Sequence, residues 1–145
     1  MTSPDRGQNE AARRRVLVID DDAGIRNFVS QALHEEGYEV AQAANGNEAL
    51  SEVGKTKPDL ILLDVRMPGV DGWQVLDELR SAAGHQTPVV VMTASYSGQD
   101  RALQSGAQGY LAKPFELTDL LECVDLHSRL QLDSSHSESR VAPEP

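Results

Sequence analysis

The chain has 145 residues, enough for one domain of ordinary size whose core needs no staples. Its formal net charge of -10 is unevenly spread, because Arg6, Arg13, Arg14 and Arg15 outweigh Asp5 and Glu10 at the start; the acidic remainder excludes a polyanion-binding surface, and no direct nucleic-acid partner is expected. Cys123 is the single cysteine, which excludes an internal disulfide and fits a reducing compartment; with no apolar run of membrane-spanning length and no apolar segment in residues 1–9, a soluble cytoplasmic protein without a membrane partner is expected.

Residues 1–14 are polar, include Pro4 and Gly7, and read as a disordered lead-in whose Arg13-Arg14-Arg15 run is solubilising. A β-branched run over 16–19, ending in Asp20-Asp21-Asp22, predicts a buried first strand. After Gly24, Ile25, Phe28, Val29, Ala32 and Leu33 share one helical face that stops at Gly37. A short strand over 38–43 precedes a helix over 46–53, with Ala49, Leu50 and Val53 inward and Gly54 as its stop. Residues 60–63, apolar and bounded by Pro58 and Pro68-Gly69, predict a fully buried strand with Asp64 at its mouth.

Asp71-Gly72 then opens a helix presenting Trp73, Leu76 and Leu79 before Gly84. Residues 88–92 form a fourth buried strand ending at Thr93, and a weak helix over 98–104 has only Ala102 and Leu103 to bury. A brief strand over 110–112 ends at Lys113-Pro114. The last helix, from Glu116, shows Leu117, Leu120, Leu121 and Val124 on its inner face. The folded domain is expected over 15–127, with 128–145 a disordered tail rich in Ser, Glu and Pro.

Five alternations of strand and helix with short connections predict a doubly wound α/β domain: a five-stranded parallel sheet with helices on both faces. Such sheets bind ligands outside the carboxyl ends of their strands, where strand order reverses. Asp20 and Asp21, Asp64, Thr93 and Lys113 all stand at predicted strand ends. Crowded carboxylates repel one another, and a hard divalent cation with oxygen ligands, Mg²⁺ or Mn²⁺, is the natural compensator. A site of acids, cation, hydroxyl and ammonium suits a phosphoryl group in flight, and one carboxylate can itself attack phosphorus. Asp64, alone on its strand, is the candidate for attack; the adjacent pair Asp20-Asp21 is suited to hold the ion.

The stretches 16–22, 62–72, 90–94 and 106–115 together resemble the receiver domain of bacterial two-component response regulators, over about four-fifths of the chain. That resemblance implies a flavodoxin-like (βα)5 fold of strand order 2-1-3-4-5. It implies that Asp64 accepts a phosphoryl group from a histidine kinase or histidine phosphotransfer protein. Asp20, Asp21, Asp64 and the backbone carbonyl of Arg66 would bind Mg²⁺, Thr93 and Lys113 would contact the acyl phosphate, and Tyr110 would change rotamer as Thr93 moves, with Ala94 leaving room. It also implies a cis Lys113-Pro114 bond and output to a downstream protein through the surface of the fourth helix, fifth strand and fifth helix. The protein would then be no enzyme in the usual sense, beyond catalysing its own phosphorylation and dephosphorylation.

The plainer readings are that Asp22 caps the first helix, Asp71-Gly72 makes a turn, and Trp73 is core. His34, His85, His127 and His136 read as surface residues, and Cys123 as inert. Gln108-Gly109 before Tyr110 and the acids Glu116, Asp119, Glu122 and Asp125 do not match the charged dimer of the largest DNA-binding subfamily. A stand-alone receiver is the leading expectation, with a receiver fragment of a larger regulator or hybrid kinase as its variant. From other classes come a Mg²⁺-dependent phosphatase of the haloacid dehalogenase type, using Asp20 of an Asp-x-Asp motif, and a receiver-like module that is never phosphorylated.

Overall fold

In a computed structural model, residues 14–67, 70–83, 87–94 and 96–128 are described. The rest of the expected lead-in and tail, the turn at Pro68-Gly69, the helix stop at Gly84, and His85 and His136 lie outside them. Strands β1 (Arg15–Ile19), β2 (Glu39–Ala43), β3 (Leu60–Asp64), β4 (Val89–Thr93) and β5 (Gly109–Ala112) form one parallel sheet of order β2-β1-β3-β4-β5. Helices α1 (Ala23–Glu35), α2 (Gly46–Thr56), α3 (Gly72–Ala83), α4 (Tyr96–Gln104) and α5 (117–128) alternate with them. A two-residue antiparallel ribbon, Arg66–Met67 against Val70–Asp71, joins β3 to α3.

Because side chains alternate along a strand, each buried strand supplies both faces of the sheet. Leu17, Ile19, Ile61, Leu63, Val89 and Val91 face Ala49 and Val53 of α2, Val75, Leu76 and Leu79 of α3, and Ala102 of α4. The intervening Val16, Val18, Leu60, Leu62, Val90 and Met92 face Val29 and Leu33 of α1 and Leu120 and Val124 of α5. Leu60 to Leu63 are all fully buried, each worth about 1.5–3 kcal/mol relative to exposure. Their burial offsets the cost of seating the acid Asp64 at the end of the same strand.

Helix ends follow their chemistry. Asp22 caps α1 by accepting from the Ile25 N–H at 3.1 Å, and Asn45 caps α2 by accepting from the Glu48 N–H. Gly37 ends α1 with a φ of 99°, its N–H bonded to the His34 carbonyl while the Tyr38 N–H reaches Leu33. α2, in contrast, does not stop at Gly54. No atom lies near that glycine's missing Cβ, so the helix runs on to Thr56 and is ended by left-handed Lys57 before Pro58.

Other expectations change with packing. Phe28, Leu103 and Leu117 lie on apolar periodicities yet are 52%, 53% and 44% exposed, since each sits at the outer margin of its helix's stripe. Arg14 and Arg15 do more than solubilise. The Arg14 Nη1 donates to the Ser128 hydroxyl at 3.0 Å and lies 3.6 Å from the Asp125 carboxylate, with its guanidinium over the Tyr38 ring. Arg15 donates to Glu39 and to the Thr56 carbonyl. The entry to β1 is thereby tied to the last turn of α5, at the sheet edge opposite the strand mouths.

Candidate functional site

Strand register brings the predicted polar residues together. Ile19 pairs with Leu63, Asp64 with Met92, and Thr93 with Ala112, so Asp20, Asp64, Thr93 and Lys113 emerge at one level of one sheet edge. The order reverses between β1 and β3, which places Asp20 and Asp64 at the switch point itself. Carboxylate oxygens of Asp20, Asp21 and Asp64 lie within 4.8 Å of one another. Asp20 and Asp64 are buried, whereas Asp21 is exposed on the turn after β1.

Each buried acid is held at both oxygens. Asp64 accepts the Arg66 N–H at 2.9 Å through Oδ1 and the Lys113 ammonium at 3.2 Å through Oδ2. Asp20 accepts the Asp22 N–H at 2.9 Å through Oδ1 and the same ammonium at 3.4 Å through Oδ2. Burial pushes the Asp20 carboxyl above the usual carboxylate range and Asp64 adds to that, while the Asp22 N–H and Lys113 oppose it. Counted by formal charge, three carboxylates against one ammonium leave two negative charges in excess. A single divalent cation balances that excess, and an all-oxygen donor set suits a hard ion such as Mg²⁺.

Thr93 is buried at the end of β4, its carbonyl accepting the Lys113 N–H at 2.9 Å. Tyr110 pairs with Val91, so it shares a sheet face with Thr93 one pleat away, and is 40% exposed. Lys113-Pro114 is cis, as expected. Gly72 fixes the loop between: a Cβ there would fall on the Val65 backbone, 2.7 Å from its carbonyl carbon. Asp71 accepts from the Trp73 N–H at 3.0 Å, the turn role expected of it.

Several single residues depart from expectation. Trp73 is only partly buried, with the Arg101 guanidinium 4.7 Å from its ring. His127 is half-buried instead of a surface residue; its Nδ1 donates to the Cys123 carbonyl at 2.8 Å, and its ring fills the space where a Cβ on Gly109 would stand. Cys123 fits the inert reading, its thiol pushed by burial up to about 11. Sequence reasoning missed Arg26 and Gln42 altogether: the Arg26 Nη1 donates to the Asp20 carbonyl at 2.8 Å and its Nε to the Gln42 side chain at 3.0 Å. The one available signal was a basic residue a helical turn beyond the acidic run.

Residues 16–125 match the family model described as the response regulator receiver domain. The chain belongs to that family. Among curated relatives, this receiver is 42% identical over 130 residues to the transcriptional regulatory protein PdtaR of Mycobacterium tuberculosis, covering 87% of the chain and 62% of the relative. It is 39% identical over 113 residues to the transcriptional regulatory protein PcoR of Escherichia coli, covering 77% and 50%. The chain thus spans about half to three-fifths of the length of these relatives. The solved structure of the chemotaxis protein CheY4 of Vibrio cholerae superposes with a TM-score of 0.73 at 35% identity, covering 79% of the chain and 98% of that structure. A CheY-like receiver domain protein from Methanospirillum hungatei gives 0.77 at 29% identity, covering 84% and 98%. The matches lend no support to the dehalogenase-type phosphatase reading, whose second acid, Asp22, is occupied in capping α1. No helix among the described residues is long and apolar enough to cross a membrane.

Proposed function

We propose that this receiver is a phosphorylation switch in which Asp64 takes a phosphoryl group from the phosphohistidine of a histidine kinase or histidine phosphotransfer protein. The observation that carries the reading is the meeting of three carboxylates from the ends of β1 and β3 with one ammonium from the end of β5 bonded to two of them. In the transfer, an Asp64 carboxylate oxygen forms the new O–P bond while the P–N bond to the donor imidazole breaks, its electron pair staying on that nitrogen. Asp20, Asp21 and the Arg66 carbonyl are the residues to hold Mg²⁺ beside Asp64. When bound, the ion supplies neutralisation of the charge that develops on the phosphoryl oxygens.

The chain's own groups prepare the rest. The Arg66 N–H and the Lys113 ammonium orient the Asp64 carboxylate, and Lys113 is free to follow charge as it moves onto the phosphoryl oxygens. The Thr93 hydroxyl, one strand away, is the second contact for those oxygens. Tyr110, on the same face as Thr93 and part-exposed, can turn inward when Thr93 is drawn toward the acyl phosphate, altering the surface of α4, β5 and α5 that a downstream protein reads. Among the described side chains of α4 only Ala102 is buried, which fits a segment that shifts at low cost. The test is to incubate the protein with Mg²⁺ and acetyl phosphate and follow intact mass. Wild type is expected to gain one acid-labile phosphoryl group and Asp64→Asn none. Full labelling of Asp64→Asn would rule the acceptor assignment out.

A further inference from the structure

Asp21 poses a question of placement. Its carboxylate lies within 4.8 Å of those of Asp20 and Asp64, yet it is exposed and makes no hydrogen bond of its own among the described residues. Its position therefore depends on the backbone that carries it. On the near side, the Asp20 N–H donates to the Ala43 carbonyl at 3.1 Å; on the far side, the Asp22 N–H donates to the Asp20 carboxylate at 2.9 Å. Between them stands the peptide linking Asp20 to Asp21, and its carbonyl accepts the Arg26 Nη1 at 2.8 Å. Arg26 is itself fixed at two points. It rides on the first turn of α1, its N–H bonded to the Asp22 carbonyl at 2.9 Å, and its Nε donates to Gln42 of β2 at 3.0 Å.

We propose that Arg26 is a positioning residue for the divalent cation, holding the Asp20–Asp21 peptide so that Asp21 faces Asp20 and Asp64 before any ion arrives. The inference rests on the reading above that Asp20 and Asp21 hold that ion. Its physical basis is that groups behind a metal's direct ligands set their orientation, and losing such a group typically costs roughly 10–100-fold in affinity. The guanidinium suits the task because its planar fork donates in two fixed directions at once, here to a carbonyl of the site and to a neighbouring strand.

The sign of the effect separates positioning from simple charge. Arg26 is a cation close to a cation site, so as a mere charge it repels the ion, and its removal would tighten binding. As a positioning group its removal loosens binding. The experiment is calorimetric titration of metal-free protein with Mg²⁺ alone, on wild type, Arg26→Ala, Arg26→Lys, Gln42→Ala and Asp21→Asn. Amide hydrogen exchange at Asp20 and Asp22, whose N–H groups donate to the Ala43 carbonyl and to the Asp20 carboxylate, is read in the absence of metal. Arg26→Ala is expected to weaken Mg²⁺ binding about tenfold, the low end of that range because the carbonyl it holds is not itself a ligand, and to speed exchange at both amides. Arg26→Lys recovers part of the loss. Gln42→Ala, which removes only the second anchor and serves if Arg26→Ala does not fold, weakens binding measurably but by less than Arg26→Ala. Unchanged or tighter binding by Arg26→Ala, or by Gln42→Ala in its place, with the wild type binding normally, overturns the positioning role alone. A wild type that binds no better than Asp21→Asn overturns the metal site and the positioning role with it.

Discussion

Lys113→Met removes the ammonium between Asp20 and Asp64 while keeping most of the side chain's stem. Lys113 lies 3.2 Å from Asp64 and 3.4 Å from Asp20, with its side chain 20% exposed and those of the acids 5% and 0%. Removing one partner of a buried ion pair costs roughly 3–5 kcal/mol, and the partial exposure of Lys113 argues for the low end, about 3 kcal/mol at neutral pH. A domain of this size loses roughly 4 °C of Tm per kcal/mol, so the metal-free variant should melt about 12 °C below wild type. The sign with pH follows from Asp20, whose carboxyl is already raised by burial; the folded state therefore binds the proton more tightly than the unfolded chain does. Its charge is a penalty present above the raised folded pKa and relieved as pH falls through it. Without Lys113 that pKa rises further, so the deficit should shrink between pH 7.5 and pH 5, and should shrink again with saturating Mg²⁺ at pH 7.5. Circular dichroism melts under the three conditions check this. A deficit of the same size in all three would refute the electrostatic argument and assign Lys113 a packing role.

Two further outcomes follow from packing. Gly72→Ala should destabilise the receiver by about 3 kcal/mol or more, since its Cβ meets Val65 backbone that cannot rotate away; a urea midpoint within error of wild type would contradict the contact. Cys123, its thiol near 11, should react with iodoacetamide at pH 8 on the order of a hundredfold more slowly in the native protein than in urea, where its pKa returns to about 8.5; comparable rates would contradict its burial.

The fold was legible because each level of the sequence agreed with the next. Four apolar runs too short for helices, each followed by a polar residue of catalytic type, left the parallel sheet and its mouth as the simplest arrangement, and register then aligned Asp20, Asp64, Thr93 and Lys113. What stayed hidden were interactions that periodicity does not encode. Phe28 and Leu117 obey the helical spacing but lie on its outer row, and only the width of the packed face decides that. Gly54 reads as a stop, yet a glycine facing open space does not compel one. Arg14 acts on the Ser128 hydroxyl at the far end of the domain, and Arg26 reaches back to the Asp20 carbonyl and across to Gln42 of β2, contacts that apolar periodicity does not announce.

Asp64, and not Asp20 or Asp21, is the proposed acceptor of the phosphoryl group. Reduction of the acetyl phosphate-treated protein with borohydride converts an aspartyl phosphate to homoserine, and peptide mass spectrometry locates it. Homoserine at position 64 alone is the result expected; homoserine at position 20 or 21 would contradict the account.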